Sequence, residues 1–146
     1  MPELPEVETI KRGLKQHVIG LVITDVEQLH PKSLQSSPKL VDEKVINAQI
    51  ISLDRRAKVL IINLSTGYSL MFHLKMTGQV VLVKKRGERF AGGHPTGSMA
   101  SKLPDSSTKI VFSLSDGSKI FFNDLRIFGW VKVVPSPEII NDALIA

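Results

Sequence analysis

The 146-residue chain contains no cysteine, so it can form neither disulfide bonds nor a zinc site built on thiolates. It has no run of 18 apolar residues and no basic-then-apolar N-terminus, which predicts neither a membrane span nor a secretory signal. Its four histidines lack the spacing of metal ligands, and its glycines match no phosphate-binding or dinucleotide-binding fingerprint. We therefore expect one domain in the cytosol or nucleoid, with no cofactor and no membrane partner.

Acidic residues are scarce in the second part of the chain. Residues 55–132 hold 13 Lys and Arg against 4 Asp and Glu, whereas residues 1–54 hold 6 against 8. The whole chain has a net charge of +5 and an isoelectric point near 9.6. A basic segment of this kind is what binding to a phosphate backbone requires, although a solvated basic surface explains it equally well.

Near the N-terminus, apolar residues recur at the spacing of one helical face. Val7, Ile10, Leu14 and Val18 are three or four residues apart. The proline that opens this stretch suits a first helical turn, where its missing N–H is not needed. The pattern predicts a helix over residues 5–18.

After the helix, the chain changes to short β-branched runs separated by turn signals such as the STG and SDG triplets. The predicted strands are 21–29, 46–53, 59–64, 68–74, 79–83, 109–114, 119–123 and 130–134. A short second helix is indicated over 37–45. We expect an α+β, mainly β fold, with about eight short antiparallel strands in a two-sheet β-sandwich and an N-terminal α-helix.

Composition also indicates how the chain is organised. Residues 1–135 are expected to form the domain, and residues 136–146 have the composition of the start of a linker. Within the domain, residues 84–107 are rich in Gly, Ser, Pro and charge, which predicts a long mobile loop.

The second residue is a candidate nucleophile. Removal of Met1, which is usual before a small residue such as proline, leaves Pro2 with a free secondary amine, and α-amino groups have pKa values of about 8. Such an amine can attack an aldehyde-like carbon to form an iminium, and the carboxyl of Glu3 can transfer the proton. On spacing alone, an ordinary helix lead-in is the simpler explanation of both residues.

Two further stretches carry candidate residues. Lys58 follows two arginines and precedes an apolar strand. It is either a solvated lysine at a strand edge or a cation beside a phosphate or leaving group. Met76 follows His73 in a predicted turn, where it is either part of the core or a projecting apolar wedge.

The stretch FFNDLRIFGW has Asp124, Arg126 and Phe128 at every second position. In an extended chain these three side chains share one face. An arginine beside an aromatic ring can enter a stacked duplex, where one hydrogen-bonds a base and the other stacks. A buried phenylalanine beside a surface arginine is the alternative.

Four motifs, taken in order, resemble those of the bacterial formamidopyrimidine-DNA glycosylase family, the relatives of endonuclease VIII. MPELPEVET resembles its N-terminal signature, RRAKVL its lysine motif, HLKMTG its His-Leu-x-Met-Ser/Thr-Gly and DLRIFG its Asp-x-Arg-x-Phe-Gly. The resemblance runs from Met1 to about residue 138. The letters PELPEV favour the oxidised-purine branch over the oxidised-pyrimidine branch.

The resemblance implies base-excision repair of double-stranded DNA with an oxidised base or abasic site, by a combined glycosylase and abasic-site lyase. Pro2 would attack C1′ of the sugar, with Glu3 as its acid/base partner. Glu6 would support the site, and Lys58 would assist strand cleavage. The implied DNA-binding residues are Met76, Arg126 and Phe128, in the gap left by the flipped base, together with Arg56 and Lys109.

The family also implies a second domain with a helix–two-turn–helix element and usually a four-cysteine zinc finger, which these 146 residues lack. We expect a monomer in the bacterial cytosol or nucleoid, whose zinc would belong to that second domain. The sequence departs from the family pattern at Ile127, where a basic residue is usual, and in the length of the 84–107 loop. It also has SSTK, ending at Lys109, where the family often has a His-x-His element.

One chemical condition follows for the nucleophile. While Met1 remains attached, the nitrogen of Pro2 is an amide and cannot form a Schiff base. A non-catalytic DNA-binding or scaffold domain that keeps the fold is therefore an alternative function. An unrelated basic β-sandwich that binds acidic ligands is a third.

Overall fold

The computed structural model describes residues 4–56, 59–75, 77–93, 102–124 and 129–137, with side chains from Val7 onward. These residues form two helices, α1 (Leu4–His17) and α2 (Pro38–Lys44), and nine strands. The strands are β1 (Ile23–Gln28), β2 (Ile50–Arg56), β3 (Val59–Leu64), β4 (Tyr68–His73), β5 (Gly78–Val83), β6 (Arg89–Gly93), β7 (Thr108–Leu114), β8 (Lys119–Asp124) and β9 (Trp130–Pro135).

The strands form two antiparallel sheets. One sheet has five strands in the order β1-β7-β8-β5-β6, and the other has four in the order β2-β3-β4-β9. The chain passes from one sheet to the other three times: through the long segment with α2 between β1 and β2, and through short links between β4 and β5 and between β8 and β9. We call the two short links the crossovers. The predicted mainly β, two-sheet sandwich with an N-terminal helix is confirmed.

The core lies between the inner faces of the two sheets. Phe72 of the four-stranded sheet contacts Phe112 and Phe122 of the five-stranded sheet, with ring centroids 5.5 and 6.2 Å apart. All three rings are fully buried. Tilted and edge-on contacts of this kind add to the free energy gained by burying the rings.

Helix α1 packs its apolar face on this core. Val7, Ile10, Leu14 and Val18 are all buried, as their spacing predicts. Each such side chain contributes about 2 kcal/mol when removed from water. The helix is therefore held on the core by packing from Val7 onward.

Helix α2 begins with a side-chain cap. The hydroxyl of Ser37 accepts a hydrogen bond from the backbone N–H of Leu40 at 3.1 Å, and Pro38 occupies the first turn. This satisfies one of the backbone donors that a helix start leaves unpaired. The short helix predicted over 37–45 is confirmed.

One of the nine strands, β6, was not predicted from the sequence. The prediction that residues 84–107 form a loop throughout is wrong over this strand, which pairs with β5 along its whole length. The stretch is short and glycine-rich, but backbone pairing needs no particular side chain. Phe90 also stacks on His17 of α1 with ring centroids 4.1 Å apart, a contact that the local composition did not reveal. The mobility of the 84–107 segment stays a prediction.

Both predicted hairpin turns are present in the structure, whereas one predicted strand begins later than expected. The STG and SDG triplets join β3 to β4 and β7 to β8 as hairpins, as expected. The strand predicted from residue 46 begins only at Ile50, because Asn47 has a left-handed φ of 71° that interrupts an extended chain. No helix in the described ranges is both long and apolar enough to cross a bilayer.

Candidate active site

Several strands end together at one end of the four-stranded sheet. Arg56 pairs with Val59, Val59 with His73, and His73 with Trp130. The end of β2, the start of β3, the end of β4 and the start of β9 therefore lie side by side. The link from β2 to β3 and both crossovers between the sheets leave from this edge.

The five-stranded sheet has its matching edge where β5 begins and β8 ends. Gly78 pairs there with Asp124. Because Gly78 follows His73 by five residues and Asp124 precedes Trp130 by six, the two edges lie at one end of the sandwich. We call this the crossover end, defined by Arg56, His73, Gly78 and Asp124.

Helix α1 runs from the crossover end towards the opposite end. Near its start, Glu8 bonds Arg55 of β2, one residue before Arg56. At its last residue, the carbonyl of His17 lies 3.5 Å from Nζ of Lys84, which follows β5. The first residue of the helix, Leu4, therefore lies on the crossover-end side of Glu8.

The carboxylate of Glu8 ties that part of the helix to β2. Its Oε1 accepts from Nε of Arg55 at 2.9 Å, and its Oε2 accepts from Arg12 at 3.0 Å and lies 3.2 Å from Nζ of Lys11. The hydrogen bonds from Arg55 and then Lys11 outweigh partial desolvation and lower the pKa of Glu8 from its ordinary 4.5 to about 2. Glu8 is therefore ionised at neutral pH.

Glu8 was not among the residues that the sequence predicted for the site. Its partners Lys11 and Arg12 stand at the i+3 and i+4 positions of a helix, so that half of the cluster could have been found from spacing. Arg55 is 47 residues away along the chain and enters only through the packing of α1 on the sheet.

The crossover from β4 to β5 is a tight turn, as predicted from its Thr-Gly pair. The N–H of Gly78 donates to the carbonyl of Leu74 at 2.8 Å, and the N–H of Lys75 donates to Nδ1 of His73 at 3.3 Å. Lys75 has a left-handed φ of 52°. A residue held in this conformation marks a turn that the surrounding structure enforces.

Asp124 joins this turn to the other crossover. Its carboxylate is completely buried and accepts a hydrogen bond from the hydroxyl of Thr77. Its second oxygen accepts from the backbone N–H of Gly129 at 2.6 Å. Asp124 therefore holds the residue before β5 and the residue before β9 at the same time.

Behind Asp124 lies a further set of buried polar side chains. Asn123 donates to Gln79 at 2.9 Å and accepts from the hydroxyl of Thr108 at 2.7 Å. The backbone N–H of Asp124 donates to the carbonyl of Ser107 at 2.8 Å. The crossover end is thus built on hydrogen bonds in the interior, where an unpaired polar group would destabilise the fold.

Two of the predicted site residues are described, and both lie at the crossover end. Arg56 is exposed at the end of β2. Lys109 is half-buried, follows Thr108, and its Nζ donates to the carbonyl of Ser106 at 3.3 Å. Together with Lys75 they place three cationic residues at this end.

The other predicted residues lie outside the described ranges, or, for Glu6, outside the described side chains. They are Pro2, Glu3, Glu6, Lys58, Met76, Arg126 and Phe128. Residues that adjoin them in the chain are described. Leu4 begins the end of α1 nearer to the crossover end, and six others lie at the crossover end: Arg56, Val59, Lys75, Thr77, Asp124 and Gly129. The shared face predicted for Asp124, Arg126 and Phe128 falls in the same undescribed stretch.

No group of three or more His, Asp or Glu side chains in the described part of the chain could hold a metal ion. The full sequence adds no cysteine. The residues present therefore do not fit the zinc finger that the family resemblance implies, and no chemical step is assigned to zinc.

A family model of the formamidopyrimidine-DNA glycosylase N-terminal domain matches residues 1–131. The chain belongs to the formamidopyrimidine-DNA glycosylase family.

Individual relatives agree with this family. The chain is 42% identical over 138 residues to a formamidopyrimidine-DNA glycosylase of Pelotomaculum thermopropionicum, covering 93% of this chain and 44% of that protein. It is 36% identical to the enzyme of the same name from Lactiplantibacillus plantarum, covering 94% and 45%. The chain thus spans less than half the length of these relatives.

Solved structures show the same fold at lower identity. The Lactococcus lactis Fpg in a complex with abasic-site DNA superposes with a TM-score of 0.77 at 22% identity, covering 95% of this chain and 45% of that one. MutM bound to DNA containing carbocyclic 8-oxo-G gives a TM-score of 0.77 at 24% identity, covering 96% and 46%. The stretch that matches the glycosylase family includes all four motifs and every residue that defines the crossover end.

Proposed function

We propose that this chain is the catalytic, N-terminal part of a base-excision-repair DNA glycosylase and abasic-site lyase that acts on oxidised purines in double-stranded DNA. The observation that carries the proposal is the direction of α1. Glu8, in the first half of α1, bonds Arg55 at the crossover end, where the links carrying the other family motifs also leave the sandwich, so we expect Pro2 to lie near them. Membership of the family supplies the class of reaction.

The first chemical step is attack by the amine. The lone pair of the Pro2 nitrogen forms a bond to C1′ of the damaged nucleotide, and the bond from C1′ to the base breaks, with its electron pair leaving on the base. The nitrogen gives up its proton, which is available to the departing base. Glu3 moves the proton needed for ring opening at the sugar, and Glu6 supports it. Loss of the sugar ring oxygen from C1′ then leaves an iminium between Pro2 and the sugar.

The iminium prepares the second step. Its positive charge withdraws electrons and acidifies the proton on C2′. Removal of that proton forms a double bond to C3′, and the C3′–O bond breaks so that the phosphate on the 3′ side leaves. The ammonium of Lys58 stabilises the negative charge on the leaving phosphate. Water then releases Pro2 from the cleaved sugar.

The DNA must also be opened for this chemistry to occur. We propose that Met76 and Phe128 fill the space of the flipped nucleotide and that Arg126 hydrogen-bonds the partner base left behind. Arg56 and Lys109 bind phosphates beside the lesion, which fits their position at the crossover end and the basic balance of residues 55–132.

Zinc, if the whole protein binds it, would be held by residues other than these 146, which offer no cysteine. We place the protein in the bacterial cytosol or nucleoid and expect a monomer on DNA.

Borohydride trapping tests the proposal. The protein, expressed at its natural length from its own gene, is mixed with a duplex containing one abasic site, and the iminium is reduced to a stable adduct. We expect the adduct to map to Pro2 by peptide mass. The matched control keeps an uncleaved N-terminal tag, which converts the Pro2 amine into an amide and changes nothing else in the site.

The outcomes separate the candidate functions. An adduct on the untagged protein that is lost with the tag supports the lyase. Duplex binding without an adduct, from protein whose mass proves that Met1 is absent, removes the lyase and leaves a non-catalytic DNA-binding domain. Binding that is unchanged in Arg126→Ala and Phe128→Ala would instead indicate an unrelated basic surface. Comparing base release from 8-oxoguanine with release of an oxidised pyrimidine tests the preferred substrate.

A further inference from the structure

We propose that Asp124 is a positioning residue that locks the two crossovers of the sandwich together, so that they enter a DNA duplex as one unit. The inference rests on the proposed function, because it assigns the crossovers to DNA opening. Asp124 is not proposed to contact DNA or to take part in the chemistry.

The first observation is what the carboxylate binds. One oxygen accepts from the hydroxyl of Thr77, the residue after Met76, and the other accepts from the N–H of Gly129, the residue after Phe128. The side chain is completely buried. A buried carboxylate is tolerated only when donors satisfy it, so both bonds are strongly favoured over separation.

The second observation is what holds Asp124 itself. Asp124 is the last residue of β8 and pairs with Gly78. Its backbone N–H donates to the carbonyl of Ser107. Neighbouring Asn123 is fixed by Gln79 and Thr108. The carboxylate therefore extends from a rigid part of the five-stranded sheet to both connections.

The contrast with Asn123 indicates a role beyond holding one sheet together. The side chains that Asn123 binds lie in strands of the five-stranded sheet, where they reinforce existing strand pairs. Gly129, by contrast, leads directly into β9 of the four-stranded sheet. Asp124 thus fixes the position of one crossover relative to the other. Side chains from both crossovers can act as a single wedge only if their relative position is fixed in this way.

Uncoupling the crossovers should therefore hinder the opening of DNA more than the chemistry at the sugar. A duplex must be entered and its nucleotide extruded, whereas an abasic sugar in a single strand is already accessible to Pro2. A residue that only stabilises the fold would affect both substrates to the same extent.

The test measures single-turnover trapping on two oligonucleotides of identical sequence, one single-stranded and one in a duplex, each with one abasic site. The protein is used at its natural length. Thr77→Val removes the hydroxyl with little change of shape. We expect about a tenfold slower rate on the duplex, the effect of one hydrogen bond to a charged group, and a change within about twofold on the single strand. Thr77→Ser, which keeps the hydroxyl, should restore the duplex rate.

Leu114→Ala is the matched control for lost stability, because Leu114 is buried in β7 far from Asp124. Its effect should be equal on the two substrates. If Thr77→Val slows the reaction by the same factor on both substrates, relative to wild type, the positioning role is overturned and the proposed function stays intact. Wild-type protein that forms an adduct with neither oligonucleotide overturns the proposed function and this inference together.

Discussion

The two ends of the sandwich are built in different ways. At the crossover end, side chains far apart in sequence meet: Asp124 with Thr77, and Arg55 with Glu8, each pair 47 residues apart. The opposite end, which we call the hairpin end, consists of the turns 65–67, 84–87 and 115–117. There, short local turns connect strands that are neighbours in the chain, and long-range contacts such as that of Lys84 with Asp116 lie between these turns.

The two ends place different demands on the sequence. Turns at the hairpin end are specified by a few local residues and serve to reverse the chain. The crossover end buries a carboxylate and several amides and hydroxyls, groups that are unfavourable in an interior unless every one is paired. Such an arrangement is expected where geometry must be held for a task other than stability.

Each end also contains a carboxylate whose pKa is lowered by cationic partners, three for Glu8 at the crossover end and one for Asp116 at the hairpin end. At the hairpin end, Nζ of Lys84 lies 2.7 Å from Asp116. Partial burial acts to raise the pKa of Asp116, but hydrogen bonds from Lys84 and Ser118 outweigh it and lower the pKa from 3.8 to about 2. Both carboxylates have pKa values of about 2 although their partners differ, so they allow the contribution of an ionised carboxylate to be compared at the two ends.

The largest expected effect comes from adding a methyl group at the crossover end, with the same change at the hairpin end as the control. In Gly129→Ala, the new Cβ would lie 2.7 Å from the carbonyl oxygen of His73 and 3.0 Å from Oδ2 of Asp124. We expect a loss of about 3 kcal/mol in the free energy of unfolding, measured by urea denaturation. Gly67→Ala is the control, because its Cβ meets no atom within 4 Å and only its φ of 82° is unfavourable, by about 1 kcal/mol. Equal losses would show that the crossover end is no more tightly packed than a turn.

Removing a lysine from each end should separate activity from stability. We expect Lys58→Ala to slow strand cleavage at an abasic site about a hundredfold, because a cation beside a leaving phosphate is lost. Lys84→Ala, which breaks the ion pair with Asp116, should leave the cleavage rate unchanged. The check is a single-turnover cleavage assay with both variants, and a similar rate for the two would contradict the role of Lys58.

The salt dependence of DNA binding should distinguish the cationic residues of the two ends. Arg56→Gln and Lys109→Gln should each reduce the slope of log K against log salt by about 1, since each removes one phosphate contact. Arg86→Gln, in an exposed turn of the hairpin end, should leave the slope unchanged. Binding is measured by fluorescence anisotropy with an abasic-site duplex, and a reduced slope in Arg86→Gln would place DNA contacts at both ends.

The smallest effect is expected from the pH dependence of stability. Glu8 and Asp116 have folded pKa values of about 2, below their ordinary values, so each stabilises the fold at pH above its ordinary pKa. That contribution falls as the pH drops from about 4.5 towards 2. Glu8→Gln and Asp116→Asn should therefore lower the melting temperature at neutral pH, and the difference from wild type should vanish at a pH near the folded pKa values.

Activity then distinguishes these two variants. Glu8→Gln loosens α1 from β2 and should slow adduct formation at neutral pH, whereas Asp116→Asn should not. High salt should reduce the stability difference for both, because each carboxylate is partly exposed. If Asp116→Asn slowed the reaction as much as Glu8→Gln, the two ends could not be distinguished by function.

The amino-acid sequence by itself determined the features that depend on local pattern. The apolar spacing of α1, the Ser37 cap and the STG and SDG turns each act within a few residues, so the chain carries their signal directly. The family motifs likewise name the candidate residues, including Pro2 and Lys58, because each motif is a short run of neighbouring letters. The basic balance of residues 55–132 fits a polyanion as partner and a solvated basic surface equally well, so charge alone did not decide between them.

Tertiary structure decided which distant residues meet. Strand β6 and its contact with α1 were missed because pairing through glycine-rich backbone leaves no periodic signal. The sequence placed Asp124 on one face of an extended stretch with Arg126 and Phe128, but it did not reveal that Asp124 is buried and binds Thr77 and Gly129. The partnership of Glu8 with Arg55 depends in the same way on how α1 packs against β2. These contacts link residues far apart in the chain, and only the packing of two sheets and a helix determines which of them come together.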